Sequence, residues 1–249
     1  MHMSGYERFY DKVGKVNGWD FGDVKVLSEG VEWDFVQEVK SRCNSSEVLL
    51  DIGTGGGKNL LKLSPSLLFA IGIDLSKEMI QTAESNLRNS AVSNIRFFQM
   101  PAEKLQFPDG FFDLVTSRHA PFSSKEVFRA LKTGGLFMTQ QVSESDKLNI
   151  KKAFGRGQSL NHEDGALKKR YIQELHEAGF SHVQALEYDA TEYYERPEDL
   201  LFLLKHTPIV PDFGRDQKDF NTLNDFIEKN RTDKGIRTNS KRFLIIGGK

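Results

Sequence analysis

Apolar and polar positions along this chain alternate between two periods. Short apolar runs such as Val48-Leu49-Leu50 and Leu68-Phe69-Ala70-Ile71 read as buried strands. Runs of this kind fall at 47–52, 68–73, 94–99, 112–117, 135–142, 181–189 and 241–247. Between them lie segments of helical period near 31–42, 57–64, 77–88, 124–131, 145–154 and 165–178. The helix over 77–88 buries Met79, Ile80, Ala83 and Leu87, with Ser76 as N-cap and Glu78 in its first turn. Ser123 and Glu126 make a capping box for the helix that follows, and Pro65 and Pro108 punctuate connections. Strands alternating with helices predict an α/β fold, a mostly parallel sheet covered on both faces.

Two segments depart from that alternation. Residues 191–239 carry helices near 197–205 and 215–229, joined by Thr207 to Gly214. Their apolar positions, among them Leu200, Phe202, Leu204, Phe213 and Phe220, need a surface to bury against. The expectation is a helical cap inserted before the last strand. Residues 1–30 crowd Tyr6, Phe9, Tyr10, Trp19 and Phe21 among glycines, which reads as an N-terminal arm. The organisation predicted is therefore arm 1–30, main domain 31–190 with 240–249, and cap 191–239.

Composition narrows the class without naming an activity. At 249 residues the chain is long enough for one large α/β domain with an insertion. Its net charge of −1 gives no general attraction to polyanions such as nucleic acid. Cys43 is the single cysteine, so no intrachain disulfide forms. No apolar run approaches the ~20 residues of a membrane span, and a cytoplasmic setting is the expectation.

The chemistry starts at Asp51-Ile52-Gly53-Thr54-Gly55-Gly56-Gly57, where an apolar strand ends in an acid and then in glycines. Glycine lets a ligand lie against backbone, because it has no Cβ and tolerates positive φ. A phosphate-binding P-loop fails by count, since Gly57-Lys58 is followed by Asn59 and the position five before Gly57 is Ile52. The dinucleotide fingerprint would need glycine or alanine at Lys58. An acid at Asp51 repels phosphate and suits a ligand with a cationic end, which points to S-adenosylmethionine. One strand later Asp74 offers acceptor oxygens of the kind that match two ribose hydroxyls.

These segments resemble the first two motifs of class I S-adenosylmethionine-dependent methyltransferases. They are most similar to the small-molecule branch of ubiquinone/menaquinone-biosynthesis C-methyltransferases, over about Glu47 to Val142. The resemblance implies a Rossmann-like seven-stranded, mostly parallel sheet with its last strand antiparallel. It implies that Asp51, Gly53, Gly55 and Gly57 hold the methionine end of the cofactor, that Asp74 holds the ribose, and that Leu75 packs on adenine. Relatives read Gly-Asp-Ala-Glu after the third strand, whereas this chain has Met100-Pro101-Ala102-Glu103. The adenine contacts then fall to the Ala102 backbone and to Glu103, with Ser117 completing the cofactor set.

The acceptor side is expected directly after the fourth strand, at Ser117-Arg118-His119-Ala120-Pro121-Phe122. His119 is the candidate base, because an unperturbed imidazole is largely neutral near pH 7. Arg118 pairs either with an acidic substrate group or with Asp113. Phe122, Tyr10 and Trp19 are the remaining substrate candidates, as aromatics able to box a small acceptor or a sulfonium. No histidine or cysteine spacing suggests a metal. The stretch Lys229 to Arg242 is rich in Lys and Arg; it reads as a solvated loop, with contact to RNA as the alternative. The function expected is methyl transfer to a small molecule. An RNA methyltransferase or a non-catalytic S-adenosylmethionine-binding protein are the other readings, and oligomeric state is not legible.

Overall fold

The computed structural model describes residues 22–249. Tyr10 and Trp19 lie outside the described residues. Nine strands form one sheet: β1 Val26–Glu29, β2 Val48–Ile52, β3 Phe69–Asp74, β4 Ile95–Gln99, β5 Phe112–Arg118, β6 Leu131–Val142, β7 Ser181–Tyr194, β8 Arg231–Thr232 and β9 Gly235–Gly248. Their order is β1-β7-β9-β6-β5-β2-β3-β4, with β8 paired to β9. Strands β2 to β6 run parallel, while β9 is antiparallel to both β6 and β7. The predicted Rossmann-like α/β architecture is therefore present, with the short strands β1 and β8 added to it.

Alternation along the strands puts consecutive residues on opposite faces. Leu50, Ile52, Ile71, Ile73, Val115 and Phe137 enter one core, closed by helices α4 (Ser124–Ala130) and α6 (Ala166–Ala178). Leu49, Ala70, Leu114, Met138 and Leu244 enter the other. That face is closed by α1 (Phe35–Lys40), α2 (Lys58–Leu63) and α3 (Lys77–Arg88). Helix α1 is shorter than the pattern suggested, because Asp34 caps it by accepting from Gln37 N at 2.9 Å.

Strands β7 and β9 run further than their apolar patterns indicate. Both continue into the segment expected as cap, and Tyr194 pairs with Ile236 at their far end. Polar residues there remain in strand because each has a partner. Glu192 accepts from Lys147 Nζ at 2.8 Å and from Tyr194 Oη at 2.9 Å, and Asn239 donates to Asp189 at 2.8 Å. Helices α7 (Pro197–His206) and α8 (Gln217–Asn230) then pack on these extensions and on α5 (Leu148–Phe154). Their contact is a third core containing Ile150, Tyr194, Leu200, Leu204, Phe226 and Ile236.

The Lys229–Arg242 stretch is not a loop, since β8 and β9 occupy most of it. Several of its cations are paired: Lys234 with Glu29 at 2.6 Å, Lys241 with Asp164 and Glu187, and Arg242 with Asp146. Among the described residues, no helix is long and apolar enough to cross a membrane.

Candidate active site

The parallel strands β2, β3, β4 and β5 end on one side of the sheet, and the loops after them carry the candidate residues. The glycine loop takes left-handed backbone at Gly53 (φ 71°), Gly55 (φ 54°) and Gly57 (φ 73°). Gly53 N and Thr54 N both donate to Ile73 O at 2.9 Å, so the loop is tied to the neighbouring strand. The glycines differ in what surrounds them. A Cβ at Gly53 would lie 2.1 Å from Ala120 Cβ, and one at Gly57 would lie 2.5 Å from Phe97. Among the described residues, a Cβ at Gly55 meets nothing within 4 Å. Gly53 and Gly57 are therefore small for packing, whereas Gly55 leaves open space above the backbone.

Asp74 is oriented by that loop. Its Oδ2 accepts from Gly55 N at 3.0 Å and its Oδ1 from Ser76 N at 2.9 Å. Two backbone donors thus aim the carboxylate along the loop. Asp51 Oδ1 accepts from Thr116 Oγ1 at 2.7 Å, and Thr116 is its register partner on β5. Burial pushes the Asp51 carboxyl up to about 6; the Thr116 hydrogen bond opposes this and the Asp74 charge adds to it. A half-buried carboxylate held under such strain gains from a cation placed against it.

Leu75 is 47% exposed and Phe98, on the adjacent strand, is 45% exposed. The Gln99 amide fixes the Leu75 carbonyl at 3.1 Å. Ala102 and Glu103 lie in a turn in which Lys104 N donates to Pro101 O at 3.4 Å, with the Glu103 side chain open to solvent. The cofactor set Asp51, Gly53, Gly55, Gly57, Asp74, Leu75, Ala102 and Glu103 thus gathers at adjoining strand ends. An open glycine cradle, an aimed acid, a strained acid and an exposed leucine fit an adenosyl ligand with a cationic end.

Ser117 departs from that set. It is wholly buried and donates to Ala120 O at 2.9 Å, so its hydroxyl shapes the turn instead of facing a ligand. Phe122 departs too. It packs in the core with ring centroids 4.7 Å from Phe137 and 4.6 Å from Tyr171, because the chain has turned back toward α4. The Asp113 partner for Arg118 is also replaced: Asp113 binds Lys132 Nζ at 2.7 and 2.8 Å and accepts from Val48 N at 2.9 Å.

Arg118 and His119 are both open to solvent. Desolvation by surrounding atoms is nevertheless the leading cause of the downward shift of each. His119 has φ 57°, a conformation that L-residues other than glycine rarely hold. Its N–H donates to Gln140 O at 2.9 Å. The imidazole is held well below its ordinary pKa, first by desolvation and then by the charges of Arg118, Arg242 and Lys147. Below it Trp33 Nε1 donates to Gln140 Oε1 at 2.9 Å, and Gln140 Nε2 lies 3.3 Å from His119 Nε2.

Beside this lies an ionic group that the pattern of residues did not reveal. Lys147 is 2% exposed and has φ 52°. Its Nζ binds Glu192 at 2.8 Å, Asn239 O at 2.9 Å and lies 3.6 Å from Asp146. Asp146 also pairs with Arg242. The one sequence signal was Gln140-Gln141, two amides ending an apolar strand. Both are buried; Gln141 Nε2 donates to Ala120 O and Thr139 Oγ1, each at 2.9 Å.

Residues 49–135 match the family model described as a methyltransferase domain. The uncharacterised methyltransferase YcgJ of Bacillus subtilis is 38% identical over 125 residues, covering 47% of this chain and 49% of that protein. The ubiquinone/menaquinone biosynthesis C-methyltransferase UbiE of Pseudomonas entomophila is 31% identical, covering 52% of this chain and 56% of UbiE. The chain spans about half the length of the curated relatives it matches. The crystal structure of Bacillus subtilis YcgJ superposes with a TM-score of 0.58 at 24% identity over 85% of this chain and 96% of that one, a likeness of fold. Over residues 49–135 the chain is thus similar to the methyltransferase-domain family.

Proposed function

We propose that the protein transfers the methyl group of S-adenosylmethionine to a small-molecule acceptor. The observation that carries this is the pairing of Asp74 with the open face of Gly55. It leaves a carboxylate aimed across an uncovered backbone, where a ribose would lie. Asp51 holds the cationic methionine end, Leu75 covers adenine, and the Ala102 backbone with Glu103 meets the adenine edge. The sulfonium donor supplies the activated methyl and the leaving group of an in-line displacement. The protein's own contribution is alignment, and holding reactants in attack geometry is worth roughly 7–11 kcal/mol.

The acceptor lies in a cleft floored by Arg118 and His119, with residues 191–239 as its cap. Closing such a cleft excludes water from the displacement. His119 serves here as a contact and not as the base, because its Nε2 faces the Gln140 amide. An RNA acceptor is disfavoured because Lys234, Lys241 and Arg242 of the 229–242 stretch are already paired, and similarity to UbiE supports the small-molecule reading.

The test is thermal stability with S-adenosylmethionine or S-adenosylhomocysteine. At about 100 times the dissociation constant the expected stabilisation is about 2.7 kcal/mol, and Asp74→Ala should remove most of it. No stabilisation by either ligand overturns the proposal. Binding without turnover of any acceptor overturns its catalytic half.

A further inference from the structure

Trp33, Gln140 and His119 form a chain of hydrogen bonds whose direction is fixed at one end. An indole N–H only donates. Trp33 Nε1, 2.9 Å from Gln140 Oε1, therefore settles which way that amide faces. The remaining Gln140 Nε2 is a donor as well, so the group 3.3 Å away on His119 Nε2 must accept. A neutral imidazole accepting at Nε2 carries its hydrogen on Nδ1. Among the described residues no hydrogen bond from His119 Nδ1 is present, and the residue is open to solvent.

Arg118 supplies a second donor on the same face. Register places Arg118 opposite Gln140, so both side chains project from one side of the sheet. Regular alternation would send His119 to the other side. Its left-handed backbone instead brings the ring back against Gln140. The Arg118 guanidinium has no ion pair or hydrogen bond among the described residues, and Asp113, its nearest expected partner, belongs to Lys132. Arg242 and Lys147 lie deeper in the same region and are matched by Asp146 and Glu192. Among the described residues Arg118 makes no such pair, and the Asp34 and Asp51 carboxylates act on it by charge alone.

We infer that Arg118 and the Nδ1–H of His119 together dock an oxyanion of the methyl acceptor, a carboxylate or a phosphate, and so orient the acceptor toward the donor. This rests on the methyltransferase reading above. Guanidinium recognises such groups in a planar, two-pronged geometry, and a neutral imidazole N–H adds a directed third donor. Trp33 and Gln140 are positioning residues, since they act by fixing the histidine tautomer.

The experiment uses ¹⁵N-labelled protein near pH 7.5, with the ring signals of His119 read by long-range ¹H–¹⁵N correlation. Benzoate and inorganic phosphate are titrated separately, with and without saturating S-adenosylhomocysteine. The expected result is an Nδ1–H tautomer and a saturable shift of the His119 ring with at least one anion. Saturation by benzoate alone assigns a carboxylate, and by phosphate alone a phosphoester. Arg118→Gln should weaken that anion at least tenfold and Arg118→Lys less, while S-adenosylhomocysteine still stabilises both variants. Trp33→Phe should release the tautomer, giving a mixed ring spectrum. An Nε2–H tautomer in the parent protein, no saturable shift with either anion, or equal affinity in Arg118→Gln each overturns the inference. Failure of S-adenosylhomocysteine to bind overturns the methyltransferase reading instead, and the anion titration without it remains readable.

Discussion

The two halves of the candidate site are built in opposite ways. The cofactor half, over β2, β3 and β4, is made of backbone: left-handed glycines, N–H groups bonded to Ile73, and one carboxylate tied to the loop it faces. The acceptor half, over β5, β6 and β9, is made of side chains. Trp33 reaches Gln140 across 107 residues of sequence, and Lys147 reaches Glu192 and Asn239. Backbone sites tolerate loss of a side chain without unfolding, because the hydrogen bonds that shape them survive. Side-chain sites do not, when the groups are charged and buried. The prediction is a separation: cofactor-half substitutions that leave the packing intact change binding, whereas breaking the buried ionic group of the acceptor half changes stability.

The largest effect should come from Lys147→Met. Removing one cation from the buried group leaves Glu192 and Asp146 under-compensated, at a cost of about 3–5 kcal/mol. Urea denaturation measures it, and a cost below 1 kcal/mol would show that the network is not structural. Gly53→Ala should follow at about 3 kcal/mol, since its Cβ meets Ala120 at 2.1 Å in a left-handed turn. Gly55→Ala is the contrasting probe. It has open space, so only backbone strain of about 1–2 kcal/mol opposes it. Its methyl group nevertheless occupies the ligand face, and calorimetry should show S-adenosylhomocysteine affinity falling far more than stability does. Equal losses of stability in the two glycine variants would break the comparison at its sharpest point.

Asp51→Asn sharpens it from the other side. The folded-state pKa of Asp51, about 6, lies above its ordinary 3.8, so ionising it costs folding energy as pH rises through that window. The variant should therefore be more stable than the parent at pH 7 without ligand, by about 1–3 kcal/mol. It should also bind S-adenosylmethionine more weakly. In the parent, affinity should fall as pH drops below about 6, because protonation removes the charge that meets the cationic end; in Asp51→Asn that dependence should vanish. Titration calorimetry between pH 5 and 8 decides it. The smallest effect is expected for Trp33→Phe, about 1 kcal/mol for one lost hydrogen bond, with S-adenosylhomocysteine affinity unchanged.

The same contrast explains what was legible in the sequence. Asp51, the glycines and Asp74 are read from adjacent positions, since a strand end and the turn after it are local in the chain. The parallel strands and their helices were legible for the same reason: apolar period 2 and period 3.6 are local patterns. The far halves of β7 and β9 were not, because Glu192, Arg237 and Asn239 look like loop until their partners are known. Phe122 was misplaced because one left-handed residue, His119, reverses which side the following chain faces, and Ser117 because that returning turn brings Ala120 O onto its hydroxyl. That torsion leaves no trace in composition. Trp33 and Lys147 were missed because nothing near them in sequence announces the residues they touch.

The paired extensions of β7 and β9 have a consequence for how such a protein diversifies. Residues 195–235, with the short strand β8 among them, connect Tyr194 to Ile236, which are register partners on neighbouring strands. Neighbouring strands lie about 4.8 Å apart, so the excursion begins and ends at nearly one point. Its length and sequence can then change over generations without shifting the register of any other strand, since loop closure depends only weakly on length. The chain has, in effect, a graft point at the end of β7 and β9, outside the glycine loop after β2. On the proposed function, exchanging this one contiguous stretch would alter the acceptor side and leave the donor end intact.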